Sequence, residues 1–315
     1  EARDTVRAYN LAGRETSVTT GLSVDSARRT SIGVFAESGA DLAPRARISG
    51  GVRLDGVRNT NVGGFFGDRS VSQAALSGLA ALTVLPAAKL AVTAQVARGF
   101  RDPALSDRYY RGPVGRGFVE GNPGLRPETS LQFDLLARYE SGPLRMVAAA
   151  YHYQVTDLVE RYAATPTLFL VRNRGQAELK GAEVEVHWAM AAGLGLAATA
   201  EVSRGRDADD GVPLDDVAPG AGSVSITYQG FGTRLLSYAR VKAVSAHDAA
   251  GPSEVPTRGY TLVDAGATWR LTSRLEVTAT ARNLLNEAYQ SSAGPRWVWA
   301  PGRHASVALV ARFAR

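Results

Sequence analysis

The chain has 315 residues, no cysteine, 45% hydrophobic residues and a formal net charge of +6. Without cysteine there is no disulfide framework and no cysteine-based metal site. The arginines are scattered singly rather than gathered into a stripe, which argues against a nucleic-acid partner. No segment approaches the ~18 apolar residues of a membrane-spanning helix, so the chain either is soluble or crosses a membrane as strands.

Alternation of apolar and polar residues predicts about thirteen antiparallel strands of roughly 10 to 15 residues each. The pattern is clearest over residues 45–55 and recurs over residues 130–139 and 181–188. The last predicted strand covers residues 304–313. In each case one face of the strand is apolar, and in most of them the other carries long charged side chains. Gly181 lies on a polar face, where its missing side chain is expected to leave room for something to approach the wall.

The predicted connections alternate strictly between two lengths. The short ones are residues 40–44, 85–88, 140–143, 189–193, 229–232 and 271–273. The long ones are residues 58–71, 101–127, 158–168, 204–218, 245–257 and 285–302. This segregation predicts an all-β fold in which an up-and-down transmembrane barrel has short periplasmic turns and long extracellular loops.

An odd number of strands predicts that the barrel is partial. Single-chain bacterial barrels have an even strand number, because unpaired backbone groups in lipid cost several kcal/mol each. We expect residues 1–29 to be an extracellular loop segment and residues 30–315 to be the C-terminal part of the barrel.

Five aromatic residues are predicted to form a membrane-interface girdle at the short-turn end. Each lies on the apolar face of a predicted strand, just before that strand stops. The alternative, aromatic residues in the core of a soluble sandwich, would not confine them to one end. The five are Tyr139, Trp188, Tyr228, Trp269 and Phe313.

Four segments resemble TonB-dependent outer-membrane receptors and occur in the order found in that family. They are residues 98–109, 121–130, 173–185 and 283–303, which begin with Arg-Gly-Phe-Arg-Asp-Pro, Gly-Asn-Pro-Gly, Asn-Arg-Gly-Gln and Asn-Leu-Leu-Asn. The resemblance covers the chain from about residue 31 onward. It implies a barrel of about 22 strands with a plugged lumen, of which this chain holds about the last thirteen.

The resemblance also implies a function and a set of partners. We expect an outer-membrane receptor that imports a scarce small-molecule nutrient, such as an iron–siderophore complex or cobalamin, with energy supplied through TonB. The expected partners are outer-membrane lipid and lipopolysaccharide, the protein's own plug domain and the TonB energy-coupling complex. The plug and the coupling segment do not appear in this chain and are expected before Glu1. A passive porin-like channel and a soluble β-sandwich binding module are the alternatives.

The longest predicted loop, residues 101–127, carries arginines beside aromatic residues. That combination suits an anionic ligand with aromatic or macrocyclic parts, through bidentate hydrogen bonds and stacking. Alternatively, the arginines contact lipopolysaccharide phosphates or the loop's own carboxylates. Trp297 and Trp299, beside Arg296 on the last long loop, form a smaller cluster for which anchoring at the barrel rim is favoured. The candidate ligand contacts are Arg101, Arg108, Tyr109, Tyr110, Arg111, Arg116, Trp297 and Trp299.

No catalytic, cofactor or metal site is predicted. The four histidines lack metal-ligand spacing, and there is no nucleophile elbow or phosphate-binding loop. An acidic loop over residues 207–216 departs from the calcium-loop pattern, because Gly211 and Val212 stand where a ligand and the glycine are needed. A solvated acidic loop is therefore favoured there.

Overall fold

The computed structural model describes residues 2–9, 14–115, 117–295 and 297–313. Within them, no helix is long and apolar enough to cross a membrane. The only helical elements in these ranges are α1 (Leu105–Tyr109) and a single 3-10 turn (Ala191–Gly193). The strands are β1 (Ala2–Tyr9), β2 (Glu15–Val24), β3 (Arg28–Ala43), β4 (Ala46–Asn61), β5 (Arg69–Ala87), β6 (Leu90–Arg101), β7 (Arg111–Val114), β8 (Gly117–Glu120), β9 (Glu128–Ser141), β10 (Leu144–Thr165), β11 (Leu168–Ala189), β12 (Leu194–Asp207), β13 (Ala221–Gly230), β14 (Leu235–Val244), β15 (Tyr260–Arg270), β16 (Leu275–Arg282) and β17 (His304–Ala311).

Strands β3 to β6 and β9 to β17 form one antiparallel sheet in which each strand pairs with the next along the chain, and β6 pairs with β9. This path contains the predicted thirteen strands, so the partial up-and-down barrel is confirmed. Its two ends, β3 and β17, do not pair with each other in the described part of the chain. The short hairpin β7–β8 lies off this path, and β8 pairs in parallel with the outer end of β11.

The two faces of the sheet differ as the alternation predicts. On one face, Val184 pairs with Ala200 and Val224 pairs with Val241, and these valines are largely exposed. On the other, hydroxyl groups join neighbouring strands, as between Thr83 and Thr93 at 2.8 Å. An exposed apolar face is suited to lipid, where apolar surface needs no protein cover. The largest fully buried side chains lie instead toward the extracellular end, among them Arg108, Tyr109 and Leu125.

One predicted loop is wrong. Residues 158–168 continue β10 and β11, with cross-strand register from Leu158–Arg174 to Thr165–Leu168. Only Pro166 and Thr167 make the turn. Each strand of this hairpin has 22 residues, whereas β13 has 10. The excess projects beyond the neighbouring strands at the long-loop end, and we call it the β10–β11 tip.

The expected open space at Gly181 is also filled. Gly181 pairs across the sheet with Tyr151, and a Cβ atom on the glycine would lie 2.6 Å from the tyrosine Cζ. The aromatic ring therefore covers the glycine, an arrangement that protects backbone left bare by the missing side chain.

Strands β1 and β2 form a separate two-stranded sheet within the segment predicted to be an extracellular loop. This hairpin lies beside β7 and α1, which belong to the longest extracellular loop. The assignment of residues 1–29 to the outside of the membrane stays a prediction.

Candidate ligand site in the extracellular loops

A buried carboxylate anchors the start of the long loop after β6. Asp102 accepts hydrogen bonds from Arg29 at 2.5 Å, from the Asn59 amide at 2.8 Å and from Arg108 at 3.2 Å. These donors come from β3, β4 and α1. Because the Asp102 side chain is almost completely buried, this carboxylate ties the start of the loop to two neighbouring strands.

Two of the predicted ligand contacts are buried inside this loop. Arg108 has no exposed surface, and it donates to the carbonyls of Pro123 at 3.0 Å and Leu125 at 2.6 Å. Tyr109 is 2% exposed, and burial raises the pKa of its hydroxyl. Their predicted role as ligand contacts does not fit this arrangement, because a ligand outside the loop cannot reach them.

The Arg101 side chain also forms its hydrogen bonds within the protein. Its guanidinium donates to both carboxylate oxygens of Glu128, with one distance of 2.7 Å. The same carboxylate accepts the Val159 amide at 2.6 Å. Arg101 therefore joins the end of β6 to the start of β9 and the base of the β10–β11 tip.

Arg111 and Tyr110 lie nearer the surface. The Arg111 guanidinium lies 3.9 Å above the Phe65 ring and 5.1 Å from the Phe118 ring, and it bonds Glu120 at 3.1 Å. The Tyr110 hydroxyl donates to the Pro113 carbonyl at 2.7 Å. Arg111 thus stacks on the protein's own aromatic rings, and its predicted contact with a ligand stays a prediction. Arg116 lies outside the described residues.

Other motif residues act as backbone anchors. Asn173 accepts the Arg126 amide at 2.8 Å and donates to the Arg126 and Asp157 carbonyls at 2.9 and 2.7 Å. Asn283 adopts a φ of 50° and bonds the backbone of Glu287 in both directions, at 2.8 and 2.9 Å. Asparagine tolerates this left-handed conformation, so the motif closes tight loop entrances rather than presenting groups to a ligand.

A cavity of about 910 Å³ opens among the extracellular loops, and the sequence did not predict it. We call it the mouth cavity. It is bounded by the β10–β11 tip, the ends of β12, β14 and β15, and loop segments 215–219, 253–257 and 290–294. Charged and aromatic side chains on its wall include Arg161, Phe169, Glu201, Asp215, Asp216, Lys242, His247, Glu254 and Tyr260.

One wall of the mouth cavity is a clasp between two loops. Glu254 accepts hydrogen bonds from the His247 ring at 3.0 Å, the Gly251 amide at 2.9 Å and the Asp216 amide at 3.1 Å. Asp215 accepts the Ser253 amide at 2.9 Å. Burial opposes ionisation of Glu254, but the bonds from Gly251 and His247 outweigh it and hold the pKa of this carboxyl below its usual range.

Carboxylates of the acidic loop, residues 207–216, accept hydrogen bonds from the protein itself. Asp207 accepts a hydrogen bond from Arg174 and one from the Asp209 amide, and Asp210 accepts the Val212 amide at 2.9 Å. No group of three or more histidines, aspartates and glutamates within the described residues is arranged to hold a metal ion.

The predicted girdle residues meet apolar partners beside the short turns. Tyr139 pairs with Met146, and the first residues of β10, β12 and β14 pair with the other three strand aromatics. Phe231, which was not among the predicted girdle residues, stacks on Trp269 with 5.9 Å between the ring centroids. Phe313 follows β17 and is 89% exposed. At the opposite end, Trp297 and Trp299 pack edge to face, with 5.1 Å between the ring centroids.

Comparison with known proteins adds the family. A family model described as "TonB dependent receptor-like, beta-barrel" matches residues 2–284. The "Iron-regulated outer membrane virulence protein" of Vibrio cholerae is 27% identical over 279 residues, which are 80% of this chain and 40% of that protein. The "Pesticin receptor" of Yersinia pestis is 24% identical over 268 residues, covering 79% of this chain and 38% of that protein. The chain thus spans about two fifths of the length of these relatives.

Solved structures agree on the fold. The "Copper transporter OprC" superposes with a TM-score of 0.80 and 16% identity, covering 99% of this chain and 53% of that one. The ferric yersiniabactin uptake receptor FyuA from Yersinia pestis superposes with a TM-score of 0.70 and 19% identity, covering 99% of this chain and 50% of that one.

Proposed function

Because the chain belongs to the TonB-dependent receptor-like β-barrel family and lies in the outer membrane, we propose that it is the barrel part of a receptor for a scarce small-molecule nutrient. The complete protein captures this nutrient outside the cell and imports it with energy from TonB, and it performs no catalysis. The relatives named above include receptors and transporters associated with iron and copper, so a metal chelate is the first ligand to test.

The observation that carries the proposal is the mouth cavity. It lies where the long loops converge, and its volume of about 910 Å³ falls within the range of cavities that hold small-molecule ligands. Glu201 and Lys242 belong both to its wall and to the polar face of β12 and β14, so the cavity continues onto the inner wall. That wall is where the plug domain of the complete receptor is proposed to lie.

The predicted arginine cluster takes a different part in this function. Arg101 and Arg108 hold the long loop in place, Tyr109 is buried within it, and Arg111 stacks on Phe65 near the surface. We propose that Trp297 and Trp299 contact the outer leaflet and its lipopolysaccharide, and that the girdle aromatics contact the inner leaflet.

Growth under nutrient limitation tests the proposal. The complete gene is expressed in a strain that lacks its own receptors, in paired backgrounds with and without TonB. Iron chelates and cobalamin are supplied at limiting concentration. We expect one of them to support growth and saturable uptake only when TonB is present. Uptake that is equal in both backgrounds and rises linearly with concentration would instead indicate a passive channel.

A further inference from the structure

The mouth cavity carries charges of both signs that have no partner among the residues that the structure describes. Arg161 and Lys242 are the cations, and Glu201 and Asp216 are the anions. Among the described residues, none of these four side chains forms a hydrogen bond or an ion pair, although all face one cavity. The neighbouring carboxylates of Asp215 and Glu254, by contrast, both accept hydrogen bonds in the loop clasp.

Sheet register explains why Glu201 and Lys242 do not neutralise each other. Glu201 pairs with Ala221, whereas Lys242 pairs with Ser223, so the two charges lie on the same face of the sheet, two strands and one side-chain row apart. At a strand spacing of 4.7–4.9 Å their Cα atoms are about 12 Å apart. The strand between them is fixed by its own ladder, so the separation is built into the fold.

We propose that the mouth cavity selects a zwitterionic ligand, one that carries both an ammonium group and a carboxylate. The ammonium lies toward Glu201, and the carboxylate lies toward Lys242. A ligand of a single sign is attracted by one of these two charges and repelled by the other, so the mixed lining also excludes competitors. Tyr260, which lies in the same row of the sheet as Glu201 and whose ring centroid is 4.4 Å from that of Tyr289, contacts the ligand's apolar body.

This inference rests on the proposed function and refines its ligand class. The test uses the complete receptor, purified in detergent, and one ferric trihydroxamate scaffold with a terminal amine. The free amine gives a cation, the acetyl amide a neutral form, the succinyl amide an anion, and the γ-glutamyl amide a zwitterion. Equilibrium dialysis with radioactive iron measures Kd for each form. We expect the zwitterion to bind about tenfold more tightly than any other form, as one added charged hydrogen bond allows.

Two charge-removing variants separate the contributions. Glu201→Gln should weaken binding of the cation and the zwitterion about tenfold, and the anion should bind at least as tightly as before because a repulsive charge is gone. Lys242→Gln should weaken binding of the anion and the zwitterion, and the cation should bind at least as tightly as before. Glu183→Gln is the matched control, because Glu183 pairs directly with Glu201 across the sheet but does not line the cavity.

Equal binding of the four forms, binding of none, or an equal loss of all forms in both variants would overturn the inference. The growth experiment keeps the two proposals separate. TonB-dependent uptake of a nutrient together with charge-independent binding refutes only the zwitterion inference. Absence of TonB-dependent uptake for every nutrient refutes the proposed function itself.

Discussion

Replacing Arg108 by alanine is predicted to release the longest extracellular loop while the barrel stays folded. The guanidinium makes three hydrogen bonds, to the Pro123 and Leu125 carbonyls and to Asp102. After truncation Asp102 keeps its bonds from Arg29 and Asn59, so the cost falls on the two carbonyls. Each buried acceptor left without a partner costs about 1–3 kcal/mol. Because water can enter and bond to them in part, we take roughly 3 kcal/mol for the two carbonyls together.

Hydrogen exchange of the complete receptor measures this change. A loss of about 3 kcal/mol lowers the protection of loop amides that exchange by local opening about 100-fold, at 1.4 kcal/mol per factor of ten. The amide of Leu125, which donates to the Asn122 carbonyl at 3.3 Å, reports on the affected segment. Amides within the central strands β12 and β13 should exchange as in the wild type.

Arg111→Ala is the matched control. Its ion pair with Glu120 joins two partly exposed side chains and contributes about 0–1 kcal/mol. Its stacking on Phe65 adds about 0.5–1 kcal/mol, so the total stays below the effect expected for Arg108. Arg108→Lys should recover only part of the protection, because one ammonium cannot take the place of a planar fork with several donors. Wild-type protection around Leu125 in Arg108→Ala would refute the assignment of Arg108 as the residue that holds the loop.

Four further predictions follow from single contacts. Gly121→Ala should open the same loop, because its Cβ would lie 2.8 Å from the Asp107 carbonyl oxygen, whereas Gly115→Ala meets nothing within 4 Å and should be neutral by the same exchange measurement. Tyr109→Phe should leave protection unchanged or raise it, because no described group bonds the buried hydroxyl. The clasp at Glu254, whose pKa is depressed, should be intact at neutral pH and open as pH falls through that lowered value, and Glu254→Gln should abolish this dependence in exchange of the 251–257 amides. Trp269 fluorescence, read in a variant that retains only this tryptophan, should be quenched by lipid brominated near the headgroup and less by lipid brominated at the chain end.

The sequence predicts the membrane part of the fold well because lipid imposes a strict pattern. A strand with lipid on one side and a polar interior on the other must alternate, as residues 181–188 do, and its ends are marked by turn residues. The β10–β11 tip escaped prediction for the same physical reason. Beyond the membrane neither face meets lipid, so Glu160 and Arg161 can follow each other in a strand as they would in a loop.

The functional site depends on contacts that no local pattern records. An arginine that holds a loop and one that binds a ligand look alike in sequence. Arg108 is identified as the first kind by its contacts in the fold, among them the Pro123 and Leu125 carbonyls, which lie 15 and 17 residues away along the chain. Lys242 is the opposite example, because it lines the mouth cavity although nothing near it in sequence suggests a binding site. Its freedom follows from the register that places Ser223 opposite it and Glu201 one row further along the sheet. In a barrel wall, where each strand is fixed by two neighbours, register decides which charges neutralise each other and which stay available to a ligand.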